Sequence, residues 1–432
     1  MKAVVIGGGI TGLSVAHALA GSGHRVVLLE REKRLGGLAG SFRLGNAWIE
    51  RFYHHIFKTD SAILSWIDEI GLSDRLIWRP SSIGFFLGGR VHPFTTPLDL
   101  LRFSPLRLAD RLKLGLAVRR FQRMGEWEAL DGVTCEEWFS GHVSPAAYRT
   151  VWEPLLRLKF GDECARIPAA WIWGRIHPRA RSRSAGGMRE ELGYLDGGFE
   201  SMLEGMAESI AARGGEVITG TAAGRIIESG GRVRGVAAAG GEIACDAVIS
   251  TTPIPSFLEI APQLPPPYRE RLSRIRYQAA VCLALECAER VSPVYWLNIS
   301  DSSVTFGGLI EHTNFVPPSR YGGSRIVYVF NYIGEDDPIF RMSEGDYYAF
   351  HEGSLRRVNP SFRGGWVRGM RLSKARHATV VYTLGYRGAM PPFETPVAGL
   401  YMVNTSQIYP YDRNMNNCAA LGKRFVSETK FD

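Results

Sequence analysis

The chain has 432 residues, of which 45% are hydrophobic and 22% are charged, so it is long enough to form several compact units with buried cores. This composition excludes a disordered or fibrous protein, because such chains bury too little apolar surface. The formal charge of +8 suits an anionic substrate or an acidic membrane surface, and we expect no nucleic-acid partner.

The six cysteines form no Cys-x-x-Cys pair and have no histidine at zinc-finger spacing. We therefore predict no disulfide scaffold, no metal site and a reduced, cytoplasmic protein. The apolar N-terminal stretch is interrupted by glycines, unlike a signal peptide. No other segment approaches the roughly 18 uninterrupted apolar residues of a spanning helix, so we expect any membrane contact to be peripheral.

The first predicted elements are a strand at residues 3–6, a glycine turn and a helix that reaches residue 20. Within the turn, Gly7 allows the tight bend, Gly9 lets the main chain approach a pyrophosphate, and Gly12 lets the helix pack closely on the strand. The free amides and the dipole at the helix start favour phosphate binding. This order of elements predicts a dinucleotide site.

A second predicted strand, residues 25–29, ends at Glu30, 18 residues after Gly12. A carboxylate at this position can accept hydrogen bonds from both hydroxyls of an adenosine ribose. It would repel a 2′-phosphate, which argues against NADP. The choice between NAD and FAD then depends on the residues that follow.

Those residues include a second glycine pair, Gly36-Gly37, and here the chain resembles the flavin-containing amine oxidase superfamily. That superfamily includes protoporphyrinogen oxidases, phytoene desaturases and UDP-galactopyranose mutases, and in it such a run marks FAD. The resemblance implies that Gly36 and Gly37 let the backbone pass close to the phosphates and ribityl chain, and that Arg34 offsets phosphate charge.

Residues 97–123 follow with a helical and strongly basic pattern. One interpretation is a membrane-surface or lipid-entry face, and the other is an amphipathic helix pair that covers a core. Further along, Arg175, Arg179 and Arg181 lie in a Trp- and Arg-rich stretch and are candidates to clamp a substrate phosphate or carboxylate. Tyr332, on a predicted strand, is a candidate for an aromatic substrate slot. The alternatives are solvated charge for the arginines and sheet packing for the tyrosine.

The remaining motifs are assigned by resemblance. Residues 192–199 resemble a glycine loop that precedes a returning FAD-domain helix, Ala223 matches a main-chain contact to the adenine side, and residues 246–253 match the closing strand. Residues 399–416 resemble the C-terminal flavin motif, in which a helix start faces the flavin pyrimidine edge. In that motif, Asn404-Thr405 replaces the common Gly-Asp.

We predict an α/β fold with a Rossmann-type FAD-binding domain and a discontinuous α+β substrate domain. The FAD-binding domain comprises residues 1–75, 190–270 and 395–432, and the substrate domain comprises residues 76–189 and 271–394. The expected cofactor-binding residues are Gly7, Gly9, Ile10, Thr11, Gly12, Glu30, Arg31, Arg34, Gly36, Gly37, Leu38, Ala223, Thr251, Asn404, Tyr411, Met415 and Asn416. No cysteine occupies a tethering position ahead of the final motif, so we predict non-covalent FAD.

Three residues are candidates for catalysis. His54 and His55 lie where the resemblance places the chain beside the isoalloxazine ring, and neighbouring residues on extended chain point to opposite sides, so at most one faces the flavin. A histidine there can move a proton near neutral pH, or it can be a structural hydrogen-bonding residue. Glu311 ends a predicted strand, and its alternative role is a structural salt bridge.

The first functional hypothesis is an FAD-dependent oxidoreductase that removes a hydride from a C–C or C–N bond. Its small-molecule substrate would be relatively large and partly apolar, either lipid-like or diphosphate-bearing. Its electron acceptor would be oxygen, a quinone or another carrier. The alternative is a non-redox flavoenzyme acting on a nucleotide sugar, because residues 55–60, HIFKTD, resemble the HIFHT segment of UDP-galactopyranose mutases. A binding role with structural FAD is the third hypothesis.

Overall fold

The computed structural model describes residues 1–45, 47–181 and 189–431, with the main chain only at residues 180 and 181. The strands, numbered in chain order, are β1 (Lys2–Ile6), β2 (Arg25–Leu29), β3 (Ser41–Leu44), β4 (Ala47–Glu50), β5 (Ile56–Phe57), β6 (Leu76–Pro80), β7 (Ile83–Leu87), β8 (Arg90–Pro93), β9 (Glu191–Leu195), β10 (Glu216–Ile218), β11 (Ala223–Ser229), β12 (Arg232–Ala238), β13 (Gly241–Ala244), β14 (Ala247–Ser250), β15 (Tyr277–Cys287), β16 (Trp296–Ile299), β17 (Gly308–Glu311), β18 (Arg325–Ile333), β19 (Val367–Val380) and β20 (Leu400–Met402).

The α-helices are α1 (Ile10–Gly21), α2 (Ser61–Glu69), α3 (Pro97–Arg102), α4 (Leu108–Arg123), α5 (Cys135–His142), α6 (Pro145–Ala147), α7 (Glu153–Phe160), α8 (Ala169–Ile176), α9 (Glu200–Ala212), α10 (Ile254–Ile260), α11 (Pro266–Ser273), α12 (Glu344–Val358), α13 (Tyr386–Ala389) and α14 (Met415–Glu428).

The first sheet has five parallel strands in the order β10-β2-β1-β14-β20. Its central strand, β1, is apolar and almost completely buried, as expected for a parallel strand covered on both faces. Strands from the start, the middle and the end of the chain therefore meet in one sheet. This arrangement confirms the Rossmann-type α/β fold.

The second sheet has seven strands in the order β19-β15-β18-β17-β16-β7-β8. Its neighbours are antiparallel except for β16 and β7, which pair in parallel. The sheet takes its strands from residues 83–93 and 277–380, inside the segments predicted for the substrate domain. The exact domain boundaries stay a prediction, because the small sheet β5-β9-β6 joins strands from both predicted domains.

Helices α1 and α14 bring the two ends of the chain together beside the first sheet. The Ser14 hydroxyl donates a hydrogen bond of 2.6 Å to the carbonyl oxygen of Ala419. A Cβ atom at Gly422 would lie 2.6 Å from the Cβ atom of Ser14, so only glycine permits this close approach. Helix α14 therefore packs directly against the N-terminal half of α1.

The buried and exposed residues of α4 bear on the two interpretations of residues 97–123, as a membrane-surface face or as a helix pair that covers a core. On α4, Leu114, Ala117 and Phe121 are buried, as a core-covering helix requires. However, Leu108, Leu112 and Leu116 are 59%, 53% and 67% exposed. The buried face of α4 agrees with a solvated amphipathic helix that covers a core. The exposed leucines leave the membrane-surface interpretation a prediction. None of the helices in the described ranges has the length and apolar character of a membrane span.

Candidate functional site

The glycine turn between β1 and α1 is shaped by contacts that exclude larger residues. Gly7 has a φ of +107°, which L side chains rarely adopt. A Cβ atom at Gly12 would lie 1.8 Å from the carbonyl oxygen of Gly7. The Thr251 hydroxyl donates to the carbonyl oxygens of Ile6 and Gly7, at 2.9 and 3.2 Å, and so ties β14 to this turn.

The start of α1 offers a cradle for a phosphate group. Gly9 is the N-cap residue, and no side chain caps the helix. A Cβ atom at Gly9 would meet no protein atom within 4 Å, so the space in front of it is open. The amide of Gly36 donates to the carbonyl oxygen of Gly8 at 2.8 Å, which brings the second glycine pair against the helix start. Unpaired helix amides beside open space fit a pyrophosphate.

Glu30 lies at the end of β2, where a ribose would be recognised. Its side chain is largely buried and accepts hydrogen bonds from the amides of Gly8, at 2.6 Å, and Glu32, at 2.8 Å. The amide of Thr221 donates to the carbonyl oxygen of Glu30 at 2.8 Å, and Ala223 follows two residues later. The carboxylate keeps further lone pairs for ribose hydroxyls, so the donor and acceptor set fits an adenine dinucleotide.

The basic residues beside this cradle have protein partners. The Arg34 guanidinium pairs with Glu200 at 2.5 Å and lies 4.2 Å from the centroid of the Trp48 ring. Arg31 is exposed and lies 3.7 Å from Glu32. Charge compensation of the phosphates by Arg34 therefore stays a prediction, as does a role for Arg31 or Leu38.

At the C-terminal end, α14 begins directly beside α2. Asn414 caps α14 by accepting the amide of Asn417 at 2.7 Å. The Asn416 Oδ1 atom accepts the amide of Ala62 at 2.9 Å, so this end of the side chain is turned to α2. Asn404 is buried and donates to the carbonyl oxygen of Thr252 at 2.9 Å. The contacts expected from Met415 and Asn404 to the cofactor stay predictions.

The two histidines have different surroundings. Nδ1 of His54 lies 2.5 Å from the carbonyl oxygen of Phe52, and Nδ1 of His55 lies 3.1 Å from the Tyr295 hydroxyl. Burial is the main reason that the pKa of His54 falls to about 4 and that of His55 to about 3. Both rings are therefore neutral at pH 7. The positive charge of Arg413 also lowers the pKa of His54, which places this ring near the C-terminal motif.

A buried ion cluster lies next to that motif. The Asp412 carboxylate binds the Lys159 ammonium group through Oδ1 and the Arg175 guanidinium through Oδ2. Burial raises the pKa of Asp412, but the charges of Lys159 and Arg175 more than offset this and hold it well below its ordinary value. Burial, opposed by Asp412, lowers the pKa of Lys159 to about 7. Next to the cluster, Arg413 Nη2 lies 3.4 Å from the Tyr332 hydroxyl.

Close helix packing brings this cluster together. A Cβ atom at Gly174 would lie 2.3 Å from the carbonyl oxygen of Pro410, so α8 touches the main chain of the C-terminal loop directly. Arg175, the next residue, thereby reaches Asp412. Tyr411 in the same loop contacts the Trp173 ring, with ring centroids 5.9 Å apart.

The predicted substrate residues are only partly brought together. Arg175 is part of the ion cluster, and the Tyr332 hydroxyl lies next to it, 3.4 Å from Arg413 Nη2. Arg179 lies 3.9 Å from Glu190 and stacks over the Phe57 ring at 4.9 Å. The side chain of Arg181 lies outside the described residues.

Glu311 is a structural carboxylate in this fold. It is completely buried, and its Oε2 atom accepts the amides of Val291 and Ser292 at 2.9 and 3.0 Å. The Thr313 hydroxyl donates to its Oε1 atom at 3.1 Å. These hydrogen bonds connect the turn at Val291 and Ser292 to the end of β17. The catalytic role of Glu311 stays a prediction, and these structural hydrogen bonds do not support it.

Sequence reasoning missed Lys159, Asp412 and Glu50. Glu50 is fully buried on β4 and accepts hydrogen bonds from the Tyr194 hydroxyl, at 2.9 Å, and the Phe199 amide, at 3.0 Å. Burial is the main cause that raises the pKa of Glu50 to about 7. The signal in the sequence was a charged residue next to apolar ones. Glu50 ends the strand AWIE, and Lys159 lies in the LLRLKF run of α7.

Comparison with known proteins identifies the family. The sequence profile of the family described as flavin containing amine oxidoreductase matches residues 10–406, which is nearly the whole chain. A 15-cis-phytoene desaturase of Narcissus pseudonarcissus is 29% identical over 155 residues, and the match covers 32% of this chain and 27% of that protein. The chain thus matches only about a quarter of that curated relative.

Two solved structures have the same overall fold. An oxidoreductase from Methanosarcina mazei superposes with a TM-score of 0.75 at 19% identity, and the match covers 99% of this chain and all of the other. A reduced UDP-galactopyranose mutase superposes with a TM-score of 0.75 at 14% identity, covering 99% of this chain and 94% of the other. At these identities the likeness establishes the fold alone.

Proposed function

The chain belongs to the flavin-containing amine oxidoreductase family, and from this membership we propose that it is an FAD-dependent oxidoreductase. In this proposal the enzyme removes a hydride from a C–C or C–N bond of a partly apolar and anionic substrate. The observation that supports it most is the cradle of Gly9, Gly36 and Glu30, which fits FAD. When bound non-covalently, FAD supplies a ring that accepts the hydride.

His54 is the residue best suited to handle the substrate proton. Because the acceptor of its Nδ1 hydrogen bond is the carbonyl oxygen of Phe52, we assign the ring proton to Nδ1. Its Nε2 atom is then an unprotonated acceptor in a neutral ring. His55, held by Tyr295, is assigned a positioning role for the segment that it shares with His54.

Anaerobic mixing with candidate substrates tests the proposed reaction. Amines, porphyrinogens and isoprenoids are mixed one by one with the oxidised enzyme while the flavin absorbance is recorded. A substrate of the proposed kind bleaches the flavin, and readmission of oxygen, a quinone or another carrier restores the colour. No bleaching by any of the three classes would contradict the proposal.

The second candidate is a non-redox reaction on a nucleotide sugar. Its support is the HIFKTD segment, because His55 in this segment lies near Arg179 and near Arg175 of the ion cluster. The positive charge of these arginines suits a diphosphate. Activity on a UDP-sugar that requires dithionite-reduced enzyme and causes no net redox change would favour it. Bleaching of the oxidised enzyme by a substrate favours the first function.

We also propose that α3 and α4 dock on a membrane surface that contains anionic lipids. In the described ranges, five of the seven large hydrophobic residues that are exposed lie on these helices. They are Leu98, Leu101, Leu108, Leu112 and Leu116. Residues 97–124 also contain seven basic and two acidic residues. Exposed leucines with a basic rim match an acidic lipid surface.

Vesicle flotation tests this surface. We expect the wild-type protein to float with vesicles that contain phosphatidylglycerol, and Leu112→Ser/Leu116→Ser to bind them at least about tenfold more weakly, because two apolar side chains are lost. Leu384→Ser is the matched control, since Leu384 is 44% exposed but lies outside the surface. Equal binding of the double variant and the wild type, or no binding of either, would contradict the proposal.

A further inference from the structure

The ion cluster around Asp412 carries more positive than negative charge. Lys159 and Arg175 both bind the Asp412 carboxylate, and Arg413 follows it in the chain. Two cationic groups therefore bind one carboxylate, and the charge of a third, Arg413, also acts on it. The Arg179 guanidinium, which also senses the charges of Arg175 and Asp412, has its own partner in Glu190. Arg175, Arg413 and Asp412 together leave an excess of one positive charge, which rises to two when Lys159 carries its proton.

This excess lies in a place where water compensates it poorly. The Lys159 side chain is only 10% exposed, and those of Arg175 and Asp412 are 26% exposed. A buried charge without a counter-charge is unfavourable, because the interior solvates it less well than water does. Because about a quarter of the Arg175 side-chain surface is exposed, a ligand can reach the cluster from solvent.

Aromatic rings fix the direction of the cations. The Lys159 ammonium and the Arg175 guanidinium each lie 5.0 Å from the centroid of the Trp171 ring. Lys159 also lies 5.9 Å from the Tyr332 ring, whose hydroxyl contacts Arg413. Such contacts hold the cations in place before a ligand arrives, which lowers the entropy cost of binding.

The position of the cluster links it to the proposed reaction. Asp412 and Arg413 precede the Asn414 cap, and the Asn417 side chain donates to the carbonyl oxygen of Asp412 at 2.7 Å. The loop is therefore fastened to the start of α14. Tyr53 and His54, on the segment assigned to the flavin side, both experience the charge of Arg413.

We propose that Lys159 and Arg175, which bind Asp412, and the neighbouring Arg413 form an anion subsite that holds a substrate group with about two negative charges, such as a phosphate monoester or a diphosphate. This inference rests on the proposed function for its substrate, but its binding chemistry is independent of hydride transfer. Asp412 acts as the anchor that aligns the cations, and the guanidinium groups offer paired N–H donors to phosphate oxygens.

Titration of the oxidised holoenzyme with inorganic pyrophosphate tests the subsite. Binding is measured by calorimetry and by the change in the flavin spectrum. We expect saturable binding to the wild type and at least about tenfold weaker binding to Lys159→Met, because a hydrogen bond to a charged group is lost. Lys374→Met is the matched control: Lys374 also donates one hydrogen bond, to the carbonyl oxygen of Met342, and lies near an aromatic ring, yet it belongs to β19.

Each outcome decides the inference. Absence of saturable binding to the wild type, or equal affinity of Lys159→Met and the wild type, would overturn it. Equal weakening in Lys374→Met would show a general charge effect and would also overturn it. Arg413→Gln provides a second variant if Lys159→Met does not fold. The titration measures binding to the oxidised enzyme and does not depend on hydride transfer. If no substrate bleaches the flavin, the proposed function is contradicted, but the binding result remains valid.

Discussion

Gly12→Ala is expected to yield a protein without bound FAD and with lower stability. The added Cβ atom would lie 1.8 Å from the carbonyl oxygen of Gly7 and 2.9 Å from the Thr251 hydroxyl oxygen. Helix α1 would have to move away from β1, and its amides would leave the phosphate cradle. Overpacking of this kind costs on the order of 3 kcal/mol of the free energy of unfolding. The ratio of flavin to protein after purification and chemical denaturation measure the two effects.

A glycine that faces solvent is the control for this substitution. Gly353 lies on α12, is exposed, and a Cβ atom there would meet no atom within 4 Å. Gly353→Ala should keep its flavin and be as stable as the wild type or slightly more so. Full flavin occupancy in Gly12→Ala would show that the tight approach of α1 to the turn is not needed for cofactor binding.

Glu50→Gln is expected to change how stability depends on pH. Burial raises the pKa of Glu50 from 4.5 to about 7, so between these values the folded protein holds the proton that the unfolded chain releases. The stability contributed by the protonated carboxyl is complete below pH 4.5 and is lost as the pH rises through 7. Glutamine stays neutral, so relative to the wild type the variant should gain on the order of 3 kcal/mol between pH 4.5 and pH 8.

Chemical denaturation of both proteins at several pH values measures this difference. Asp60 and Glu311 also have a pKa of about 7 because of burial, but they are present in both proteins and cancel in the comparison. Glu204→Gln, at an exposed position of α9, is the control and should show no such trend. A difference between wild type and Glu50→Gln that is constant with pH would contradict a protonated, buried Glu50.

The first dinucleotide motif could be predicted because its signals are local. The turn from Gly7 to Gly12 and the acid at Glu30 lie within 30 residues, and strand, turn and helix each have their own pattern. The structure confirms the elements and adds the distance of 1.8 Å that excludes a Cβ atom at Gly12. The first two strands of the parallel sheet were likewise predictable as short apolar runs, whereas its later strands lie in segments that were assigned by resemblance.

The ion cluster could not be predicted in the same way. Lys159 and Asp412 are 253 residues apart, and only the packing of α8 on the C-terminal loop brings Arg175 to the same carboxylate. No local pattern distinguishes a lysine that binds a distant aspartate from one on a solvated helix. For α4, hydrophobic periodicity indicates that the helix is amphipathic, but it does not say that Leu112 and Leu116 face outwards.

Gly9→Ala tests most directly whether the chain is built around FAD. The φ of Gly9 is −73°, which alanine adopts without strain, and the new Cβ atom would meet no protein atom within 4 Å. We therefore predict the circular dichroism spectrum and unfolding temperature of FAD-free wild-type protein, together with loss of the flavin absorbance, because the methyl group fills the space that the pyrophosphate needs. A Gly9→Ala protein that retains flavin at the wild-type ratio would contradict the account.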